Sequence, residues 1–308
     1  MRKLAVRFLR STARGPLVEA LPSETENRSA FATMQVNLFR AVGRSVGLVL
    51  SAQRKAAIQE WLINKYRIPV SWQPRPELQQ KFKQALELLD AGDEPIGDYL
   101  EFGVYQGNSM ICMHRAMAEL GSNGLRLFGF DSFEGLPESA KLDGVWSKGQ
   151  FRSEIDFTRE LLTGAGINWQ RTKLIQGFYD AVLNPELAQR LEIERVSVIM
   201  IDCDLYSSTR EALAFCAPLL ADHCIIFFDD WESTGDRHGE KKAFAEFLSE
   251  HDEFEVSDLG GYHSGARVAQ LVRRSVPGTE APSAPAAPMD SGSPAVAAAD
   301  SAARSRDT

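Results

Sequence analysis

The sequence predicts a doubly wound, mostly parallel seven-stranded α/β sheet with a helical extension on its N-terminal side. Three observations carry that prediction. Strand-like apolar runs alternate with helix-like stretches through the middle of the chain, as in a parallel sheet covered on both faces. Several of those runs end in glycines or acids, where open sheets bind ligands. The last two runs lack a long helix between them, so they form a hairpin that brings an antiparallel strand to the sheet edge.

The strands are expected at Tyr99–Gly103, Leu125–Asp131, Thr172–Gln176, Val196–Asp202, Cys224–Phe228, Phe254–Leu259 and Ala266–Val272. Helices are expected between them at Asn108–Leu120, Glu154–Gly164, Tyr179–Leu191, Ser208–Leu219 and Lys241–Ser249. Upstream, Leu38, Val42 and Val46 fall at helical spacing, and Trp61, Leu62 and Tyr66 extend the pattern until Pro69. The prolines between Ile68 and Pro76 break that helix, because each lacks a donor and restricts its predecessor; a new helix follows from Glu77 to Leu89. The expected organisation is therefore a flexible basic N-terminus (1–29), a helical region (30–97), a ligand-binding catalytic domain (98–275) and a disordered Pro/Ala/Ser-rich tail (276–308).

With 308 residues and 44% apolar composition the chain can bury a large core, and its net charge is −8. No cluster of Lys and Arg marks a nucleic-acid surface. The basic start, Arg2 to Arg14, is interrupted too often for a signal peptide, and the apolar stretch Val36–Ala52 contains Asn37, Arg40 and Arg44, so no bilayer span or stable membrane association is expected. The four cysteines have neither zinc nor disulfide-framework spacing, which suits buried thiols in a cytoplasmic protein. The N-terminal helices have no sheet of their own. Their apolar faces need the acceptor side of the same domain or another subunit, with a homodimer preferred over a monomer.

The first strand closes in Glu101-Phe-Gly-Val-Tyr-Gln-Gly107, followed by Asn108 and Ser109. Gly103 and Gly107 stand at the turn from strand to helix, where glycine permits close approach of a ligand. An acid at Glu101 would repel a pyrophosphate, so this is not a dinucleotide fingerprint. It suits a ligand with an ammonium and a sulfonium, whose carboxylate would meet the helix N-terminus at Asn108 and Ser109. Asp131 ends the second strand, placed to bind both ribose hydroxyls or to cap the next turn with Ser132. Gly177 and Phe178 end the third, offering an aromatic ring to an adenine or to the core.

Asp202 and Asp204 close the fourth strand, and Asp229 and Asp230 the fifth. Four carboxylates at one rim would raise one another's pKa severely unless a cation sat among them, and Mg²⁺ fits a site of few oxygen ligands. Helix capping accounts for Asp204 alone more easily than for the adjacent pair.

These stretches, with Asp131-Ser-Phe-Glu-Gly-Leu-Pro137, Ile201-Asp-Cys-Asp-Leu-Tyr-Ser-Ser-Thr209 and Asp229-Asp230-Trp231, resemble the macrocin O-methyltransferase family over roughly Asp98 to Val272. That resemblance implies a Rossmann-like class I methyltransferase fold and S-adenosylmethionine as methyl donor. It also implies Mg²⁺ held by Asp202, Asp229 and Asp230, Asp202 as general base, and a small-molecule hydroxyl acceptor, a sugar or glycosylated natural product. No histidine lies between Arg115 and Asp222, where some of its members place one near the acceptor. His238 is the candidate substitute, although a solvated loop position suits it better. Two other readings are a metal-dependent glycosyltransferase using Asp202-Cys203-Asp204, and a methyltransferase fold kept only as a binding module.

Overall fold

The computed structural model describes residues 52–71, 73, 75–92, 94–122, 124–143, 146–234 and 238–274. The expectations for 1–51 and for the tail from 275 lie outside the described residues. The chain enters as α1 (Ala52–Tyr66) and α2 (Arg75–Asp90), separated by the proline-bearing segment. Strand β1 (Asp98–Phe102) leads to α3 (Asn108–Leu120), β2 (Leu127–Asp131) to α4 (Ile155–Gly164), and β3 (Thr172–Gln176) to two short helices, α5 (Tyr179–Val182) and α6 (Pro185–Arg190). Then come β4 (Val196–Ile201), α7 (Tyr206–Cys216), β5 (Leu220–Phe228), α8 (Gly239–Glu250), β6 (Phe254–Asp258) and β7 (Arg267–Arg273).

The seven strands run in the order β3-β2-β1-β4-β5-β7-β6, with β7 antiparallel to both neighbours and the pairs from β3 to β5 all parallel. The antiparallel strand therefore sits one place inside the edge, and β6 is outermost. One long helix over Tyr179–Leu191 is not formed. Asn184 instead caps a new helix, its side chain accepting the Leu187 N–H at 2.8 Å, with Pro185 pre-set at the first helical position.

Period-two alternation assigns the strand residues to two cores. Tyr99, Leu127, Val198, Met200, Ile225 and Phe227 pack under α2 and α3, while Leu100, Phe102, Phe128, Ile199, Ile226 and Phe228 pack under α7 and α8. From α2, Phe82 is fully buried between Tyr99 and Phe227, with ring centroids 5.8 and 4.5 Å away. Burial of such a ring contributes about 2–3 kcal/mol, so α2 belongs to the same core as the sheet. The chain moves outward from β1 to β3 and returns to the other side of β1 at β4. That reversal opens a crevice at the C-terminal ends of β1 and β4.

Candidate active site

Backbone hydrogen bonds carry the sheet pattern past the strand ends and fix the rim of this crevice. Gly103 N–H donates to Phe130 O at 3.0 Å, Asp202 N–H to Phe102 O at 2.8 Å, and Asp229 N–H to Ile201 O at 3.0 Å. The crevice widens into a cavity of about 1010 Å³ lined by Gly103, Asn108, Ser109, Asp131, Ser132, Gly177, Phe178, Asp202, Asp229 and Asp230. Two of the predicted site residues, Glu101 and Gly107, stand behind its wall. Gly107 has φ +78°, and a Cβ there would press on the Leu162 side chain, so its glycine serves the turn into α3.

Glu101 is fully buried. It accepts hydrogen bonds from Ser109 Oγ at 2.6 Å and from the Tyr99 hydroxyl. Burial pushes its carboxyl up to about 8, against the opposing effect of those two donors. Asp131 accepts three backbone N–H bonds, from Val104 (2.8 Å) and Tyr105 (2.7 Å) on Oδ2 and from Phe133 (2.6 Å) on Oδ1. It thus shapes the loop after β1 as well as its own turn. Ser132 holds that turn, donating to Gly135 O at 2.9 Å and accepting the Glu134 N–H at 3.1 Å.

The side chain of Asn108 is taken up by the segment before α2. Its Oδ1 accepts from Ser71 Oγ at 2.9 Å and from Arg75, and its Nδ2 donates to Gln73 Oε1 at 2.6 Å. Among the described residues, no side chain caps the N-terminus of α3. Gln73 also donates to Asp202 Oδ2 at 2.6 Å. The cavity's far wall comes from Glu60, Ile63 and Val70 of the N-terminal segment and from the loop after β2, where Trp146 and Phe151 lie edge-on at 5.6 Å and Tyr105 packs against Phe151 at 6.2 Å.

Carboxylate oxygens of Asp202, Asp229 and Asp230 lie within 4.8 Å of one another. Burial and the neighbouring carboxylates push Asp202 well above the usual range. Asp204 is buried with φ +62° and is raised for the same two reasons, and its carboxyl reaches Asp230. Burial likewise raises Asp230, whose Oδ1 accepts from Ser233 Oγ at 2.7 Å. Behind them Glu240 is fully buried; its Oε2 accepts the Asp230 N–H at 3.1 Å and its Oε1 has no partner among the described residues. Ten carboxylates and a single cation, Lys148, line the cavity among the described residues. Such a field attracts cations and opposes a diphosphate.

Sequence reasoning missed Gln73, Glu240, Tyr262 and His263. The last two stand in the β6–β7 turn, and both reach Asp229, Tyr262 through its hydroxyl and His263 through Nε2 at 3.1 Å. The hydrogen bond to Asp229 raises the His263 pKa. His238 is instead exposed ahead of α8 and does not line the cavity. Among the described residues, no helix is long and apolar enough to cross a membrane.

Comparison with known proteins agrees with this architecture. A curated relative, the 8-demethyl-8-(2,3-dimethoxy-alpha-L-rhamnosyl)-tetracenomycin-C 4'-O-methyltransferase of Streptomyces olivaceus, is 29% identical over 143 residues, covering 44% of this chain and 53% of its own. The chain thus spans about half the length of that relative. The fold is similar to the O-methyltransferase NovP (TM-score 0.53, 18% identity, 64% of this chain and 80% of that one). It is also similar to the calicheamicin methyltransferase CalS11 (TM-score 0.51, 18% identity, 85% and 98%). The sequence model of the macrocin-O-methyltransferase (TylF) family matches residues 76–254, more than half of the chain and every site residue from Glu101 to Glu240, though not Gln73, Tyr262 or His263, and the chain belongs to that family.

Proposed function

We propose that the chain is an S-adenosylmethionine-dependent O-methyltransferase assisted by Mg²⁺, acting on a sugar hydroxyl of a small natural product. The observation that carries this reading is that the three-aspartate cluster and the turns after β1 and β2 open into one cavity across a single switch point. Family membership supports methyl transfer over the glycosyltransferase alternative. The acid-rich lining argues the same way, since a nucleotide-sugar diphosphate would meet mostly like charge.

The donor set fits the ion: oxygen ligands only, converging at a partly buried rim. When bound, the ion supplies positive charge that favours loss of the acceptor's proton, and S-adenosylmethionine supplies an electrophilic methyl group. The chain's own residues do the rest. The uncapped N-terminus of α3 receives the cofactor carboxylate, and Oδ1 of Asp131, with one backbone partner against two on Oδ2, takes a ribose hydroxyl. The proton acceptor lies in the Asp202-Cys203-Asp204 turn. The family resemblance favours Asp202; Asp204 lines the same cavity outside the three-residue cluster, with its carboxyl against Asp230. Trp146, Phe151 and Tyr105 give the acceptor ring an apolar wall, and α1 with its following segment excludes water. We place the catalytic domain at 98–275, its cavity completed from the helical region before it.

The acceptor class comes from the relative's name, which puts its methyl on a rhamnosyl 4'-oxygen. The test is incubation of the full chain with methyl-labelled S-adenosylmethionine and a panel of rhamnosylated aglycones, with and without chelator. Label should move to sugar oxygen only when the divalent ion is present. Transfer indifferent to chelator would remove the ion from the reaction, and failure to bind S-adenosylmethionine would overturn the whole reading.

A further inference from the structure

Each acid of the cluster is held by a different segment, and the hold on Asp229 is the most elaborate. The Tyr262 hydroxyl donates to Asp229 Oδ1, and His263 Nε2 lies 3.1 Å from that same oxygen. The histidine's direction is fixed from its other side. Gly265 N–H donates to His263 Nδ1 at 3.0 Å, so Nδ1 is the acceptor and the ring proton sits on Nε2, directed at Asp229. The turn carrying both residues is fastened to the loop after β5, since Glu232 N–H donates to Gly265 O at 3.0 Å. It is also closed on itself: Ala266 N–H donates to His263 O at 3.2 Å, and a Cβ on Gly261 would lie 2.3 Å from Ala266 O. Tyr262 is buried, its ring tilted against Phe227 on the sheet at 6.3 Å and edge-on to His263 at 4.8 Å.

With two donors on Oδ1, Oδ2 is the Asp229 oxygen that accepts no hydrogen bond among the described residues. Packing alone would bury Tyr262 without aiming its hydroxyl, and His263 together with it, at one atom of the acid cluster.

We propose that Tyr262 and His263 are positioning residues that hold Asp229 as a one-oxygen ligand and so set the divalent-ion affinity of the site. This rests on the reading that Asp202, Asp229 and Asp230 hold such an ion. Partners of this kind fix the rotamer and basicity of a ligating side chain, and their loss typically costs about 10–100-fold in ion affinity.

The test is titration of the full chain with Mn²⁺, following free Mn²⁺ by electron paramagnetic resonance without cofactor or acceptor, for wild type, Tyr262→Phe, His263→Ala and His263→Gln. Melting temperatures in chelator are recorded in parallel. Tyr262→Phe keeps the ring and its packing and should still weaken Mn²⁺ binding about tenfold. His263→Ala should do at least as much, while His263→Gln, which can return an N–H to the same oxygen, should recover most of the loss. Wild-type affinity in both Tyr262→Phe and His263→Ala overturns the proposal, as does an effect confined to the melting temperature. A wild-type protein that binds no Mn²⁺ overturns instead the cation reading on which the proposal stands.

Discussion

Gln73 Nε2 donates to Asp202 Oδ2 at 2.6 Å across 129 positions of sequence, while its Oε1 accepts from Asn108. One amide thus joins the segment ahead of α2 to both the acid cluster and the first turn of α3. A Gln73→Glu substitution keeps the length of that link and replaces its donor with another negative charge. In chelator the variant should melt below wild type by about 1 kcal/mol, roughly 2–4 °C for a chain of this size. Added Mg²⁺ should raise its melting temperature more than that of wild type. Equal melting temperatures in chelator would show that Gln73 does not sense the charge of the cluster.

Glu101 makes stability depend on pH. Its carboxyl is raised from 4.5 to about 8 by burial, so folding favours the neutral form. That contribution is complete below about pH 4.5 and is lost as pH rises through about 8. Glu101→Gln stays neutral and can pair with both Ser109 and Tyr99. Thermal melts at pH 5 and pH 8.5 should show the variant gaining on wild type by a few degrees at the higher pH only. A gain independent of pH would mean that Glu101 is ionised at both.

Asp131→Asn is the sharper probe of the cofactor side. Its amide puts an NH2 at one of the two oxygen positions, so either Val104 and Tyr105 lose their acceptor, or Phe133 and the expected ribose contact do. Calorimetry should show S-adenosylmethionine affinity falling by about 1–3 kcal/mol, a factor of roughly 5–150. Unchanged affinity would take Asp131 out of the binding site.

Comparing Asp202→Asn with Asp204→Asn separates ion binding from proton transfer. Asp202→Asn should lower kcat about 10²-fold or more, and Asp204→Asn should do the same where Asp204 takes the proton. Only Asp202→Asn should weaken Mn²⁺ binding substantially, and neither should change cofactor affinity much. If Asp204→Asn turns over normally, the proton goes to Asp202.

The sheet was legible because buried parallel strands such as Val196–Ile201 are continuous apolar runs, and β3 and α3 fall at their expected bounds. Strand β5 begins earlier than expected. Asp222 and His223 interrupt its apolar run, yet His223 still pairs with Val272. The break at Asn184-Pro185 was visible in the sequence as a cap followed by a proline, a signal that the apolar spacing around it masked. The three aspartates were legible since each lies just past the end of a strand. Gln73, Tyr262 and His263 were not, because only the folded chain brings Gln73 and the β6–β7 turn to those strand ends. A glutamine in a loop and a tyrosine beside a histidine carry no periodicity of their own.

Gly103 sets a limit on how this site can change. Its φ is +95°, and a Cβ there would lie 1.7 Å from the carbonyl oxygen of Asp202. The end of β1, which we assign to the cofactor, and the end of β4, which bears the first aspartate, therefore touch backbone to backbone. A mutation that moves one must move the other. On the proposed function, diversification toward new acceptors is then confined to the walls supplied by the loop after β2 and by Glu60, Ile63 and Val70, and a library aimed at altered acceptor range should be built there and leave the strand ends untouched.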